Sequence, residues 1–275
     1  MEFSYIVVSS TTSWLFVLHV IDDDALIAHG YLLAQFISPT TNNRKDKYGG
    51  SIENRTRILV EIAEAVRKRT APDFSISIKI NSVEFQDKGL QPEEAKELCS
   101  ILEDNGFDFV ELSGGTYQEL AFEYKRESTR RREAFFLEFA ELITPALKKT
   151  KVYVTGGFKT VGAMINGLSA CDGIGLGRPA CQEPRLPADI LSGKVQGAIK
   201  PLYDPNDFGI SLVAAGTHIQ QMGLDHEPID LSNETNEKAF EKDMAAWAKK
   251  MAEDTEMKEQ AWVDVVSVEP KPYGT

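Results

Sequence analysis

Residues 75–81 read Ser75-Ile76-Ser77-Ile78-Lys79-Ile80-Asn81, and the fold class follows from this run and from the segments on either side of it. This run follows the turn signal Ala71-Pro72-Asp73, and its β-branched isoleucines predict a β-strand. In the segment before it, residues 55–69, the apolar residues Ile58, Ile62 and Val66 recur at helical spacing. A helix followed closely by a strand is half of a parallel βα repeat.

The same alternation continues along the chain and predicts further helices and strands. A helix is expected to begin at Pro92, since proline suits the first turn of a helix. It is expected to end near Asn105-Gly106, because Asn and Gly readily adopt the left-handed conformation that terminates helices. The remaining predicted elements are a strand at 107–112, a helix at 133–148, strands at 152–154 and 172–176, and a helix at 186–191. Alternating strands and helices predict an α/β fold with a parallel sheet. After residue 200 the pattern loosens, apart from one charged, amphipathic helix at about 237–257.

Composition narrows the partners that the protein can have. The chain has 275 residues and a formal net charge of −12, with a pI near 4.9. Nucleic acid is a poor partner for such a surface, since phosphate binding needs clustered Lys and Arg. The three cysteines, Cys99, Cys171 and Cys181, show no ligand spacing, so neither a disulfide framework nor a metal site is predicted. A reducing, cytoplasmic setting fits this pattern.

An apolar run at residues 14–21 raises the question of a membrane anchor. A bilayer crossing needs about 20 apolar residues, and this run is too short. A secretory signal needs basic residues ahead of its apolar stretch, whereas the first one here is Arg44. Neither an anchor nor a signal is therefore predicted. A buried strand or helix and a disordered leader stay equally open for this run.

Glycine-rich turns follow two successive predicted strands, Gly156-Gly157 and Gly177-Arg178. Barrel enzymes keep their active sites at the C-terminal ends of parallel strands. Glycine lets the main chain approach an anion closely, and a neighbouring Arg adds charge-assisted hydrogen bonds. The turns therefore indicate phosphate binding, although a plain tight turn and a surface ion pair for Arg178 explain them as well.

Residues 29–57 carry a more specific signal. They include His29-Gly30-Tyr31-Leu32-Leu33-Ala34-Gln35-Phe36, Asn42-Asn43-Arg44 and Tyr48-Gly49-Gly50-Ser51-Ile52-Glu53-Asn54-Arg55. Together with residues 78–81, 110–115, 154–158 and 175–179, this ordered series resembles the Old Yellow Enzyme family of NAD(P)H:flavin oxidoreductases. The resemblance implies a TIM (β/α)₈-type barrel with FMN at its C-terminal face. It also implies hydride transfer from NAD(P)H to the flavin and on to an electron-poor alkene.

The resemblance assigns roles to individual residues. Lys79 matches the basic residue that the family places against the pyrimidine edge of the flavin, and Gly156, Gly157, Gly177 and Arg178 match its flavin-phosphate turns. Lys79 also stands in an otherwise apolar strand, where an unpaired ammonium would be costly, which weakens its interpretation as a solvated or ion-paired lysine.

Two further matches lie before the first predicted helix. Tyr31 matches the family's proton donor, a general acid for the substrate carbon. His29 matches one of two residues that polarise the substrate's activating oxygen. Without the resemblance, a half-buried tyrosine and a loop histidine would be the simpler interpretations.

The chain departs from the family pattern before residue 29. Leu26 stands where the family has the second polarising residue, and residues 1–28 resemble none of the three earlier strands of the barrel. We therefore expect a non-family leader at 1–28, an incomplete barrel of about five C-terminal βα units at 29–200, and a helical extension at 201–275. An evolved remnant and a misread gene start are two explanations, of which the abrupt junction favours the second. An uncovered barrel edge would favour self-association.

Two functions are consistent with these observations. The first is an FMN-dependent NAD(P)H oxidoreductase of the ene-reductase type, acting on a small molecule. The second is a non-catalytic half-barrel, a pseudoenzyme that no longer binds flavin. Tyr31, Lys79 and the glycine turns favour the enzyme, whereas Leu26 and the leader favour the pseudoenzyme.

Overall fold

The computed structural model describes residues 32–84, 88–114, 134, 136–205, 207–256, 258 and 261–274. These residues form two compact units. The first contains the described residues up to Gly175 apart from 159–161, and the second contains 159–161 and the described residues from Leu176 onward. The predicted boundaries at residues 29 and 200 remain a prediction.

The first unit contains a parallel sheet of four strands, β1 to β4, in sequential order. They are β1 (Ser77–Asn81), β2 (Phe109–Ser113), β3 (Lys151–Thr155) and β4 (Gly173–Gly175). All three pairings are parallel. Every strand falls where the sequence predicted one, because short β-branched runs between turn signals identify buried parallel strands.

Helices precede and separate the strands of the sheet. They are α1 (Leu32–Ile37), α2 (Ile52–Arg67), α3 (Pro92–Asp104), α4 (Leu137–Ile143) with a 3₁₀ turn at Thr144–Ala146, and α5 (Val161–Gly167). Helix α3 begins at Pro92 as predicted, and Gly106 just beyond its end has a φ of 77°. The result is the parallel α/β architecture of an incomplete TIM (β/α)₈-type barrel.

The two faces of the sheet differ in chemistry because neighbouring residues of a strand point to opposite sides. One face carries a buried apolar layer, which consists of Ile80, Val110, Leu112, Val152 and Val154. The opposite face carries what we call the polar row, formed by Lys79, Glu111, Tyr153 and Gly173 at matching register positions. The ring of Tyr153 fills the space above Gly173, where an added Cβ would lie 2.2 Å from a ring carbon.

The second unit is helical in its regular structure. Its helices are α6 (Arg178–Gln182), α7 (Leu186–Leu191), α8 (Phe208–Gly223) and α9 (Glu234–Glu253). The sequence predicted α7 and α9 but not α8. Helix α8 has apolar residues around most of its circumference, with Gly209, Gly216 and Gly223 among them, so it lacks the one-sided pattern of a surface helix.

The second unit has its own hydrophobic core, formed by Ala214, Ile229, Leu231, Phe240 and Val263. Phe240 lies on α9, which therefore contributes to this core. Two tryptophans pack beside it. The indole of Trp262 lies against Gly216, where an added Cβ would be 2.2 Å from the ring, and it stacks on Trp247 with ring centroids 6.5 Å apart.

A buried histidine lies on the same helix as Gly216. His218 is 1% exposed, and its Nε2 is 3.1 Å from the carbonyl oxygen of Ile229. Burial lowers the pKa of His218 to about 4 because the charged imidazolium would lose its hydration. His218 is therefore neutral at physiological pH.

Among the helices of the described residues, none is long and apolar enough to cross a membrane.

Candidate active site

Lys79 lies in the middle of β1 and is almost fully buried. Its side chain is 5% exposed, and its Nζ lies 3.6 Å from Oε1 of Glu111, which is 6% exposed. The two residues face each other across β1 and β2, since Lys79 and Glu111 are register partners. The lysine that the sequence singled out is thus ion-paired.

The carboxylate of Glu111 in this pair has incomplete hydrogen bonding. Oε1 of Glu111 is buried and makes no hydrogen bond to any other described residue, and 3.6 Å is longer than a hydrogen bond. Taking two charges out of water costs several kcal/mol per ion, and a loose pair recovers only part of that cost. The carboxylate oxygen therefore retains capacity to accept a further hydrogen bond.

The first glycine turn follows β3 directly. Gly156 and Gly157 have φ values of 129° and 90°, in the region that residues with a Cβ rarely adopt. The turn thus requires glycine, and it lies on the same sheet as Lys79, two strands away and at a C-terminal strand end.

The second predicted turn belongs to the other compact unit. Gly177 has a φ of −88° and caps α6, and a Cβ added to it would meet no atom of the described residues within 4 Å. A ligand can therefore approach the main chain of Gly177 closely from the side on which other residues carry a Cβ.

The guanidinium of Arg178, the first residue of α6, donates a hydrogen bond of 3.3 Å from Nη1 to the carbonyl oxygen of Pro205. Burial raises the pKa of the Cys181 thiol to about 11, and the charge of Arg178 opposes that shift. Burial likewise raises the pKa of Tyr203, again against the influence of Arg178. Arg178 thus places a positive charge among partly buried neutral groups, a setting that suits an anionic ligand.

The two predicted catalytic residues, His29 and Tyr31, lie outside the described residues. The described chain starts one residue after Tyr31, at the first residue of α1. The end of this helix is held by buried charged groups. Arg55 donates to the carbonyl oxygen of Ile37, and the hydroxyl of Ser38 donates to Oε2 of Glu84 at 2.7 Å.

Two buried acidic residues of this region were not predicted as functional. Glu111 was visible in the sequence as a charged residue inside an apolar strand, the same signal that singled out Lys79. Glu84 follows β1 by three residues, and no local pattern distinguishes it from a solvent-exposed loop glutamate. Its partner Ser38 is 46 residues away in the chain.

Comparison with known proteins is consistent with this geometry. Residues 25–196 match the NADH:flavin oxidoreductase / NADH oxidase family. The chain is 47% identical over 229 residues to the NADH-dependent flavin oxidoreductase nadA of Aspergillus parasiticus, which covers 82% of this chain and 52% of that protein. It is 40% identical over 172 residues to iccE of Talaromyces variabilis, a protein of the same description, covering 60% of this chain and 42% of the relative. The chain thus spans about half the length of these curated relatives.

Solved structures show the same fold. A 2-naphthoyl-CoA reductase in complex with 2-naphthoyl-CoA superposes with a TM-score of 0.56 at 26% identity, covering 61% of this chain and 26% of that chain. Histamine dehydrogenase from Rhizobium sp. 4-9 superposes with a TM-score of 0.51 at 27% identity, covering 61% and 24%. The family and the names of its members agree with the predicted cofactor FMN and with a nicotinamide reductant. The chain belongs to the NADH:flavin oxidoreductase / NADH oxidase family.

Proposed function

We propose that the chain acts as an FMN-dependent NAD(P)H oxidoreductase that reduces an electron-poor C=C bond of a small molecule. The observation that carries this proposal is the buried ammonium of Lys79 on the polar face of a parallel sheet, at 5% exposure. Burying this ion pair costs several kcal/mol per ion in lost hydration, and Oε1 of Glu111 beside it makes no hydrogen bond within the described residues; buried charged groups of this kind are candidates for functional sites. The family supports a flavin as the group that this cation serves.

The residue types that we assign to this site are those that FMN would require. Lys79 would hold the pyrimidine edge of the ring, where a positive charge stabilises the reduced, anionic form. Gly156 and Gly157, with their positive φ values, and Gly177, with open space at its Cβ position, would present backbone N–H groups to the phosphate, and Arg178 would add charge-assisted hydrogen bonds. When bound, FMN supplies the hydride that it has taken from NAD(P)H.

Tyr31 and His29 would carry the acid chemistry of the substrate. Tyr31 would donate its phenolic proton to one alkene carbon while the other receives hydride, and solvent would then restore the phenol. His29 would donate a hydrogen bond to the activating oxygen and so stabilise the negative charge that develops there. We place this activity in the cytoplasm, in keeping with three buried, free thiols.

A second candidate function is a non-catalytic half-barrel that associates with itself or with other proteins. The ion pair between Lys79 and Glu111 favours it, because a lysine neutralised by a carboxylate has a structural explanation without flavin.

Visible absorption separates the two candidates. The chain is incubated with excess FMN, freed of unbound flavin and examined anaerobically before and after NADH or NADPH. A retained flavin band that bleaches with the reductant supports the enzyme. A colourless protein supports the half-barrel, and sedimentation then measures its self-association.

A matched pair of variants tests the phosphate site. Arg178→Gln should weaken FMN binding about tenfold but leave riboflavin binding unchanged, since a charge-assisted hydrogen bond to phosphate is worth about 1.5–3 kcal/mol. Arg185→Gln, at an exposed residue paired with Glu227, is the control and should alter neither. Equal weakening of FMN and riboflavin by Arg178→Gln would contradict a phosphate contact.

A further inference from the structure

Two strands of the sheet carry buried side-chain oxygen atoms that make no hydrogen bond within the described residues. They are Oε1 of Glu111, in the middle of β2, and Oγ1 of Thr155, the last residue of β3. Most buried polar atoms in folded proteins have a hydrogen-bond partner, so each of these two requires an explanation. A carboxylate oxygen accepts hydrogen bonds, whereas a threonine hydroxyl can both donate and accept.

The hydroxyl of Thr155 lies on the same face of the sheet as the polar row. Side chains alternate along a strand, so Thr155 shares the face of Tyr153, two residues before it. Gly175 is the register partner of Thr155, and a Cβ added to Gly175 would lie 1.8 Å from Oγ1 of Thr155. Glycine at position 175 therefore leaves the space that this hydroxyl occupies, one residue before the glycine turn at Gly156.

Glu111 and Thr155 lie between Lys79 and the glycine turn in the order of the strands. Lys79 is on β1, its register partner Glu111 is on β2, and Thr155 ends β3, directly before Gly156. Neighbouring strands are about 4.8 Å apart, so β1 and β3 are separated by about 10 Å. A ligand that reaches from Lys79 to Gly156 on this face therefore crosses the strand of Glu111 and arrives at the strand that ends in Thr155.

We propose that Oε1 of Glu111 and Oγ1 of Thr155 form a polyol subsite, which binds hydroxyl groups of the ribityl chain that joins the flavin ring to its phosphate. This inference rests on the proposed function, which assigns the ring to Lys79 and the phosphate to the glycine turn. The chemistry is complementary, because a ribityl hydroxyl can donate to the carboxylate and can donate to or accept from the threonine hydroxyl. A hydrogen bond to an ionised carboxylate is stronger than one between neutral groups, so Glu111 should contribute more than Thr155.

Thr155→Val tests the neutral half of the polyol subsite, since it keeps the shape of the side chain and removes the hydroxyl. Fluorescence titration of the full chain measures the affinity for riboflavin and for lumiflavin, which has a methyl group in place of the ribityl chain. Thr155→Val should weaken riboflavin binding about fivefold and lumiflavin binding less than about twofold. The matched control is Thr70→Val, whose hydroxyl donates to the carbonyl oxygen of Val66 on α2, and it should alter neither affinity.

Glu111→Gln tests the charged half, because it keeps the side-chain volume and replaces the carboxylate by a neutral amide. Glu111 also faces Lys79, so the measured quantity is the ratio of the riboflavin affinity to the lumiflavin affinity, in which effects on the ring cancel. This ratio should fall about tenfold in Glu111→Gln. It should not change in the control Glu97→Gln, at an exposed residue of α3.

Urea denaturation of the flavin-free chain gives a readout without a ligand. Thr155→Val should leave the denaturation midpoint unchanged or raise it, because Oγ1 has no hydrogen bond within the described residues to lose. A lowered midpoint, or a Thr155→Val chain that does not fold, would show that the hydroxyl has a structural partner and would overturn the assignment of Thr155.

The binding series separates this inference from the proposed function. A wild-type chain that binds neither FMN nor riboflavin overturns the proposed function and the polyol subsite together. If the wild-type chain binds FMN, and Thr155→Val and Glu111→Gln leave the ratio of riboflavin to lumiflavin affinity unchanged, only the polyol subsite is overturned. A ratio that falls in both variants and in neither control supports it.

Discussion

Two buried acidic residues of the first unit, Glu84 just after β1 and Glu111 inside β2, differ in how their oxygens are used. Glu84 accepts two hydrogen bonds on Oε2, from Ser38 and Leu90. Glu111 faces Lys79 at 3.6 Å and makes no hydrogen bond from Oε1 within the described chain. Buried polar groups with full hydrogen bonding rigidify a fold. An incompletely bonded one requires an explanation, and a ligand site is the explanation that we favour for Glu111.

Glu84→Leu gives the largest expected effect. The hydroxyl of Ser38 and the N–H of Leu90 would lose a charged acceptor, and two such hydrogen bonds are worth about 4 kcal/mol. Urea denaturation measures the free energy of unfolding. Adding Ser38→Ala to Glu84→Leu should not restore stability, because the N–H of Leu90 stays without an acceptor. If the double variant regained the wild-type free energy of unfolding, Glu84 would not differ from Glu111 in how its hydrogen bonds stabilise the fold.

Lys79 and Glu111, the charged pair of the polar row, should behave differently, because here the double variant should restore stability. Lys79→Met alone leaves the carboxylate of Glu111 buried without its cation, and Glu111→Leu alone removes the anionic partner of Lys79, so each should cost about 3 kcal/mol or more. The double variant Lys79→Met/Glu111→Leu should return to within about 1 kcal/mol of wild type, since the pair adds little net stability. The same denaturation series measures it. A double variant as unstable as the single ones would show that Glu111 has structural partners like those of Glu84.

His218 provides a third buried polar group, in the second unit. Its pKa is lowered to about 4, chiefly by burial, from the 6.5 of the unfolded chain. The unfolded state therefore binds the proton first. This contribution to stability is complete above about pH 6.5 and is lost as the pH falls toward 4, by about 3 kcal/mol in total.

Denaturation at pH 7 and pH 5 measures the effect of His218. His218→Gln should flatten the pH dependence between these values, and His226→Gln is the control. An unchanged pH dependence in His218→Gln would place the titrating group elsewhere.

The two glycine turns should give the smallest effects and should differ from each other. Gly157→Ala forces a residue with a Cβ to a φ of 90° and should cost about 1–2 kcal/mol. Gly177→Ala adds a methyl group to open space and should change stability by less than about 0.5 kcal/mol. It should nevertheless weaken FMN binding if the phosphate occupies that space. Equal stability losses in the two variants would contradict this difference.

The sequence predicted features that depend on local patterns. The four strands, the start of α3 at Pro92 and helix α9 follow from periodicity and turn residues within a few positions. Lys79 was singled out because a charge in an apolar strand is locally conspicuous.

Features that depend on distant contacts could not be predicted. The pairing of Lys79 with Glu111 requires the register of β1 on β2, and the bond between Ser38 and Glu84 joins residues 46 positions apart. Helix α8 was missed because its glycines and its apolar residues on most faces hide the helical period. Burial in the core of the second unit overrides that weak propensity.

The stacked indoles of Trp247 and Trp262 have a practical consequence. Two of the three tryptophans of the chain belong to this pair, beside Gly216 in the second unit. Ultraviolet emission from the indoles therefore reports chiefly on the C-terminal half, whereas a bound flavin would absorb in the visible range. Unfolding followed at both wavelengths would show whether the flavin is released together with unfolding of the C-terminal half or separately from it, without any attached dye.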